Sequence, residues 1–166
     1  MAQATQNRSI TPDRRSVVEA LDRFATRPEV LAALRRALAD AVEKLRQHPK
    51  IPATFIALGA SALGVAAPAA VGTIRVAVTR EGDGAGVERH PNSTQYLFAL
   101  NGPVETHVET ADGWRVDRYG RGDPGTLEDR WHVVPPGVWH KSAAPGRRNW
   151  GVVAFHSALD VADEYR

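Results

Sequence analysis

The sequence contains no cysteine among its 166 residues. Disulfide bonds, thiolate metal ligands and thiol nucleophiles are therefore excluded, and any metal must be bound by nitrogen or oxygen. The sequence also lacks a large excess of either charge, because 21 Lys and Arg residues nearly balance 19 Asp and Glu residues, giving a net charge of +2. A net charge this small does not indicate the basic surface that binds nucleic acid. We expect no nucleic-acid partner.

Several familiar enzyme motifs are missing as well. The sequence has no phosphate-binding loop, no nucleophile elbow, no dinucleotide fingerprint and no HExxH zinc motif. This excludes the motif-bearing forms of nucleotide hydrolases, serine hydrolases, dinucleotide-dependent enzymes and zinc proteases. The first nine residues are polar and lack the apolar core of a signal peptide, so we expect a cytoplasmic protein.

One long stretch lacks charge altogether. Residues 51–74 contain no Asp, Glu, Lys or Arg, and 24 residues are enough to span a bilayer as a helix. The stretch is rich in Ala and Gly and contains Pro52 and Pro68, which makes a membrane span unfavourable. We expect a buried connector or a subunit contact here, and no membrane partner.

The first third of the chain has the pattern of two helices. Thr11 and Pro12 provide a cap and an N-terminal proline, and Pro28 opens a second segment that ends at His48-Pro49. Apolar residues recur at helical spacing in both segments: Val17, Val18, Leu21 and Phe24, then Val30, Leu31, Leu34, Leu38, Val42 and Leu45. These stripes should pack on the rest of the chain or on a second subunit, and a homodimer is the simplest closed assembly.

After Gly72 the pattern changes to short strands separated by Gly-rich breaks. The predicted strands are 73–79, 95–100, 104–110, 114–119, 131–134 and 150–156. Asn101-Gly102, between the second and third of them, is a hairpin signal. Strands of this length and density are typical of a sandwich or a barrel, so we expect an all-β core.

Metal-competent side chains concentrate at two places in this region. Glu88 and His90 are two residues apart, so in an extended chain both leave the same face. Gln95 opens the next predicted strand, and His140 follows the turn Pro135-Pro-Gly137 about fifty residues later. These four side chains could share one ion.

The spacing of these residues resembles the cupin family. Gly82, Glu88, His90, Gln95 and Gly102 have the spacing of its first motif, G(X)5HXH(X)3–4E(X)6G, with Glu88 in place of a His and Gln95 in place of the Glu. Three residues match the second motif, G(X)5PXG(X)2H(X)3N, and two depart from it: Pro135, Gly137 and His140 match, while Asp129 replaces the first Gly and Ala144 the final Asn.

The resemblance implies a double-stranded β-helix, the cupin or jelly-roll barrel, behind an N-terminal helical segment. We divide the chain accordingly into a helical segment (residues 1–50), an apolar connector (51–71), the barrel (72–157) and a tail (158–166).

The resemblance and the ligand chemistry together imply a divalent transition metal held by Glu88, His90, His140 and Gln95. Two imidazoles and one carboxylate form the ligand set of non-haem iron oxygenases, so iron is our first expectation and zinc, manganese and nickel are alternatives. An amide oxygen is a weak ligand, so Gln95 is either a direct ligand or a hydrogen-bonding neighbour of one.

The remaining histidines have weaker signals. His156 shares a strand face with Trp150, Val152 and Ala154, which points it into the barrel either as a catalytic acid or base or as a hydrogen-bonded core residue. His107 and His132 lie near predicted strand ends and are expected to face solvent.

We therefore predict a metal-dependent enzyme for a small-molecule substrate, an iron oxygenase or dioxygenase first. A redox-neutral lyase, isomerase or cyclase is the second interpretation, and a non-enzymatic cupin that binds or senses a small ligand is the third.

Overall fold

The structure is a computed structural model that describes residues 10–80, 84, 86–120, 125–143 and 150–166. Gly82 and Ala144, which belong to the motif comparison, lie outside the described residues. The helices are α1 Pro12–Ala25, α2 Pro28–Gln47 and the short α3 Leu127–Arg130, with one 3-10 turn at Ala60–Leu63. The strands are β1 Ala53–Leu58, β2 Thr73–Thr79, β3 Glu88–Arg89, β4 Gln95–Asn101, β5 Val104–Thr110, β6 Gly113–Tyr119, β7 Trp131–Val134, β8 His140–Ala143, β9 Trp150–His156 and β10 Glu164–Tyr165.

The strands form two five-stranded sheets. The first has the order β1-β2-β9-β4-β7 and the second has the order β10-β3-β8-β5-β6, and the pairs within each sheet are antiparallel. Strands adjacent in sequence often lie in different sheets, which is the winding of a jelly roll. The predicted β-barrel core behind N-terminal helices is confirmed.

The two faces of the first sheet serve different purposes because side chains alternate along each strand. On β2, Ile74 and Val76 are buried with the helices, whereas Arg75 and Ala77 line an internal cavity. The helix-facing core also includes Val18, Leu21, Phe24, Val30, Leu34, Tyr96, Phe98, Trp131, Val153 and Phe155. Helices α1 and α2 therefore cover the outer face of this sheet.

A polar contact holds helix α1 in position on the barrel. The Asp22 carboxylate accepts a hydrogen bond from Trp131 Nε1 at 2.8 Å and two from the Arg130 guanidinium at 3.0 and 2.8 Å. A bidentate Arg–carboxylate pair fixes orientation as well as distance. The helical segment is thus joined to the strand that follows α3.

Three expectations from the sequence differ from the fold. Residues 53–58, inside the segment expected to be a connector, form the edge strand β1 and pair with β2. The tail contributes β10, which pairs with β3. Asn101-Gly102 does not close a hairpin, because β4 and β5 lie in different sheets and the turn carries the chain from one to the other. Gly102 adopts φ +78°, which explains the preference for glycine there.

His132 also departs from expectation. It is completely buried, not solvent-facing, because β7, an edge strand of the first sheet that pairs with β4, packs the His132 ring against β6 of the second sheet. Its ring stacks on Tyr119 at 5.5 Å between centroids, and its Nδ1 lies 3.8 Å from the buried Asp117 carboxylate. His107 lies on β5 with a side chain that is 23% exposed.

Among the described residues, no helix is both long enough and apolar enough to cross a membrane.

Candidate metal centre

The two motif segments meet through one strand pair. Glu88 on β3 is the direct antiparallel partner of His140 on β8. Side chains at such positions on one face stand about 5 Å apart at Cβ. The pairing therefore brings together residues that are about fifty positions apart in the sequence.

His90 joins the pair from the end of β3. Its side chain leaves the same face as that of Glu88, as the spacing of two residues predicts. Its carbonyl accepts a hydrogen bond of 3.0 Å from the N–H of Gly137, in the turn that leads to His140. Gly137 has φ +74°, a conformation that glycine adopts without strain. This turn fixes His140 relative to His90.

Glu88, His90 and His140 form a compact group whose potential ligand atoms all lie within 4.8 Å of one another. Glu88 Oε1 is 3.5 Å from His140 Nε2 and 3.8 Å from His90 Nε2. Ligand atoms that bind one ion at about 2.1 Å stand roughly 3–3.4 Å apart, so small side-chain adjustments would suffice. The three residues fit a divalent ion, and their role as ligands stays a prediction.

Both imidazoles are oriented with Nε2 toward Glu88. The Nδ1 atom of His140 lies 3.0 Å from the carbonyl oxygen of Val138, and that carbonyl can only accept. The proton therefore belongs on Nδ1, and Nε2 keeps its lone pair. His140 Nε2 is buried and has no hydrogen-bond partner among the described residues, as expected of an atom that awaits a ligand.

Burial shapes the protonation of the first imidazole. His90 is 2% exposed. Burial lowers the pKa of His90 and the neighbouring His140 lowers it further, while the Glu88 carboxylate opposes the shift. A neutral imidazole is the form that binds a metal ion.

Gln95 lies beside this group at the start of β4 and is 5% exposed. Its Nε2 is 3.3 Å from His90 Nε2, and its Oε1 is buried without a hydrogen-bond partner among the described residues. An amide nitrogen does not bind a cation, so the amide must turn before Oε1 can face an ion. The structure thus places Gln95 beside the candidate ligands.

His156 reaches the same region from β9, where it is the direct partner of Gln95 on β4. It is completely buried, and its ring meets that of His90 edge-on at 4.8 Å between centroids. Burial, with help from His90 and Arg75, lowers the pKa of His156 to about 3. Its Nδ1 is 3.5 Å from Ser93 Oγ, and its Nε2 has no hydrogen-bond partner among the described residues.

A cavity of about 270 Å³ extends from these residues into the barrel. Glu88, Gln95 and His156 line its polar end. Much of the remaining wall is apolar: Ala77, Leu97, Trp150, Val152 and Ala154. Arg75 is the one Lys or Arg among the described residues that line it. This volume lies near the lower limit for small-molecule sites, so a small organic ligand fits it.

Sequence reasoning missed two residues of this region. Asp163 places Oδ1 2.9 Å from His90 Nδ1 and also 2.9 Å from Arg75 Nη1. Asp163 lies in the segment expected to be a tail, and no motif or periodic pattern marks it. Arg75 is the single charged residue of the apolar strand β2, and that could have signalled an inward-facing functional group.

Comparison with solved structures decides the fold. An oxalate decarboxylase variant from Bacillus subtilis matches 69% of this chain with a TM-score of 0.54 at 16% identity. Oxalate decarboxylase from Lactobacillus farciminis, in a formate complex, matches the same share with a TM-score of 0.54 at 14% identity. This chain has the cupin fold. The cupin barrel here spans less than a third of those chains, 28% and 31% respectively.

Other comparisons bear on the fold without adding an activity. Peruvianin-I, a cysteine peptidase from Thevetia peruviana latex, matches 69% of this chain and 65% of its own, with a TM-score of 0.51 at 19% identity. This chain contains no cysteine. Bacillus subtilis oxalate decarboxylase has Mn(II) centres. No protein-family profile and no curated protein matches this chain.

Proposed function

We propose that this chain is a divalent-metal-dependent enzyme that acts on a small molecule, with Glu88, His90 and His140 as the protein ligands of the metal. The observation that carries the proposal is the convergence of one carboxylate and two buried imidazoles, with the carboxylate lining the polar end of a cavity. A buried imidazole nitrogen without a hydrogen-bond partner is costly unless something binds it, and an ion would satisfy His140 Nε2. Gln95 completes the site as an amide ligand or as a hydrogen-bonding neighbour of a ligand.

The first form of the proposal is an iron oxygenase. Two histidines and one carboxylate leave coordination positions open, and ferrous iron in such a set supplies the binding and activation of dioxygen. The protein supplies a cavity with an apolar wall that would position the organic substrate. Arg75 on that wall is paired with Asp163, so the proposed substrate class, a small organic acid or an aromatic or amino-acid-like molecule, rests on the ligand set and the cavity size.

His156 is proposed as the catalytic base. It lines the cavity, and its Nε2 is not occupied by another described residue. With its pKa lowered to about 3, the ring is neutral at neutral pH and is not a resting-state acid, and it is a weak base that would accept a proton at Nε2 only from a strongly acidified group. The Ser93 hydroxyl lies 3.5 Å from Nδ1, on the other side of the ring.

The second form is a redox-neutral lyase, isomerase or cyclase that uses the metal as a Lewis acid. The similarity to oxalate decarboxylases, one of them with Mn(II) centres, favours this form. A base beside the candidate metal centre suits proton transfer from a metal-polarised acid, which such reactions require.

Metal analysis and oxygen uptake test the proposal. The parent, purified without added metal and then loaded with Fe(II) under anaerobic conditions, should retain about one ion per chain. His90→Ala and His140→Ala should each lose most of it while keeping the fold by circular dichroism. His107→Ala, a histidine outside the triad, is the matched control and should retain the ion. Full occupancy in both site variants would overturn the assignment.

The same loaded protein separates the two forms of the proposal. Oxygen consumption with small aromatic or aliphatic acids, absent in His140→Ala, supports the oxygenase. Turnover of such an acid with no oxygen uptake supports the redox-neutral form. Binding of the acids without turnover would indicate the ligand-binding interpretation instead.

A further inference from the structure

The segment after β9 is held tightly against the candidate metal centre. Strand β10 pairs with β3, so that Tyr165 lies opposite Glu88 and Glu164 opposite Arg89. The backbone N–H of Arg166 donates to the carbonyl of Val87 at 3.1 Å. Residues 160–166, which we call the strap, therefore run beside the strand that supplies Glu88 and His90.

Side-chain contacts anchor the strap on both sides of Asp163. Before it, Asn92 donates through Nδ2 to the carbonyl of Asp160 at 2.8 Å and accepts at Oδ1 from the N–H of Ala162 at 3.0 Å. After it, Arg89 Nε donates to the Glu164 carboxylate at 2.6 Å.

The far end of the strap is also fixed. The Arg166 guanidinium lies 4.6 Å from the centroid of a Trp139 ring and 5.7 Å from that of a Trp114 ring. It also donates to Glu109 at 2.7 Å. With contacts before and after it, Asp163 is held in a defined position.

That position is between two cationic or potentially cationic groups. Asp163 Oδ1 is 2.9 Å from His90 Nδ1 and 2.9 Å from Arg75 Nη1. The first distance is that of a hydrogen bond, although the ring N–H is not aligned on the oxygen, so His90 Nδ1 counts among the unpaired buried atoms. A small rotation of the ring would complete the bond.

Resting on the proposed function, we infer that Asp163 is the positioning residue of His90 and that the strap delivers it. A carboxylate at Nδ1 keeps the proton on that nitrogen and leaves the Nε2 lone pair facing Glu88 and the ion. It also makes Nε2 a stronger donor. The Val138 carbonyl has the same role for His140, so each imidazole has an oxygen beside its Nδ1 atom and directs its Nε2 atom toward Glu88.

If Asp163 served only as the structural partner of Arg75, loss of its carboxylate would leave metal affinity unchanged. Metal affinity therefore distinguishes a structural role of Asp163 from a role in positioning His90. Zn²⁺ dissociation constants are measured by chelator competition, and Co²⁺ absorption spectra report the ligand environment. Asp163→Asn should weaken Zn²⁺ binding about 10- to 100-fold and change the Co²⁺ spectrum. Asp163→Ala is the second variant. Either variant tests the inference, provided that its circular dichroism spectrum matches that of the parent.

Glu164→Gln is the matched control. It removes one carboxylate from the same strap and breaks the Arg89 contact, but Glu164 makes no described contact with His90. Its Zn²⁺ affinity should stay within about threefold of the parent value.

The outcomes separate this inference from the proposed function. If the parent binds neither Zn²⁺ nor Co²⁺, the proposed function is wrong, and the inference that rests on it is wrong as well. If the parent binds and His90→Ala does not, but Asp163→Asn matches the parent in affinity and spectrum, the inference alone is wrong. Equal weakening by Asp163→Asn and Glu164→Gln would assign the effect to strap anchoring and would overturn the role of the Asp163 carboxylate as the positioning group of His90.

Discussion

At position 95 a neutral amide lies beside two imidazoles, where the cupin motif has a carboxylate. With Glu88 as the single acidic ligand, a divalent ion keeps a net charge of about +1, and a second carboxylate would remove it. The charge difference acts across a buried site, where Coulomb interactions are stronger than in water. Gln95 would thus leave a bound ion more electrophilic than a carboxylate would, whether or not its oxygen is a direct ligand.

Substitution at this position tests that role. Gln95→Glu should bind Zn²⁺ more tightly than the parent and lower turnover, because a less electrophilic ion activates the substrate less. Gln95→Ala should weaken binding about 10- to 100-fold, the range found when a neighbour of a ligand is lost. Gln47→Glu, which adds the same charge on the exposed end of α2, is the control. Unchanged dissociation constants in both site variants would show that Gln95 does not act on the ion.

The burial of His132 predicts that the stability of the fold depends on pH. Burial lowers its pKa from 6.5 to about 4, opposed by the nearby Asp117 carboxylate. His132 is therefore protonated near pH 6.5 in the unfolded chain but only near pH 4 in the folded chain. The free energy of unfolding falls as pH drops through this window, because the unfolded state binds the extra proton. Between pH 7 and pH 5 the loss from His132 is about 2 kcal/mol.

Urea denaturation of the metal-free protein at pH 7 and pH 5 measures this loss. His156, with its pKa lowered to about 3, adds a loss of the same sign. In His132→Asn the decline between the two pH values should be smaller by roughly 2 kcal/mol. An identical decline in parent and variant would show that His132 is not the titrating group.

At the scale of elements, α2 stabilises the barrel by covering the outer face of β1 and β2. Leu34 is completely buried in that interface, whereas Val42 on the same helix is 37% exposed. Leu34→Ala should lower the free energy of unfolding by about 2–5 kcal/mol, because it removes buried methyl groups and leaves a cavity. Val42→Ala, measured in the same urea titration, should cost well under half as much. Equal costs would mean that the helix is not packed as described.

Elements with local signals could be predicted from the sequence, and elements defined by long-range pairing could not. Prolines at positions 12 and 28 mark the starts of both helices, and strand 73–79 follows from its alternating side chains. Strand β1 has no such pattern, since its sequence continues an uncharged, Ala-rich run and its pairing with β2 defines it. The hairpin predicted at Asn101-Gly102 was wrong because a turn signal does not specify which strand the chain joins next.

The same division holds within the candidate site. Spacing alone placed Glu88 and His90 on one face, and the resemblance to the second cupin motif added His140 to them. Asp163 and the burial of His132 depend on contacts between residues far apart in the chain. A single sequence contains no signal for such contacts when neither periodicity nor a motif marks the residues.

At the scale of the whole molecule, an ion at this centre would link strands β3 and β8 of the second sheet to each other and, through His90, to the strap. Glu88 lies on β3, His140 on β8, and Asp163 contacts His90 from the strap. The expected homodimer stays a prediction, to be measured by light scattering on the loaded and metal-free protein. The effect of the ion on the fold can be predicted separately, because only the folded chain assembles the triad.

Metal should therefore raise the melting temperature. Binding to the folded state alone adds about 2.7 kcal/mol of stability at a free ion concentration of 100 times the dissociation constant. For a chain of this size that corresponds to a rise of roughly 5–10 °C, measured by calorimetry with and without Zn²⁺. His90→Ala combined with His140→Ala should melt at the same temperature under both conditions. If the double variant gained as much stability as the parent, the ion would be binding elsewhere, and the link between this triad and the stability of the barrel would be lost.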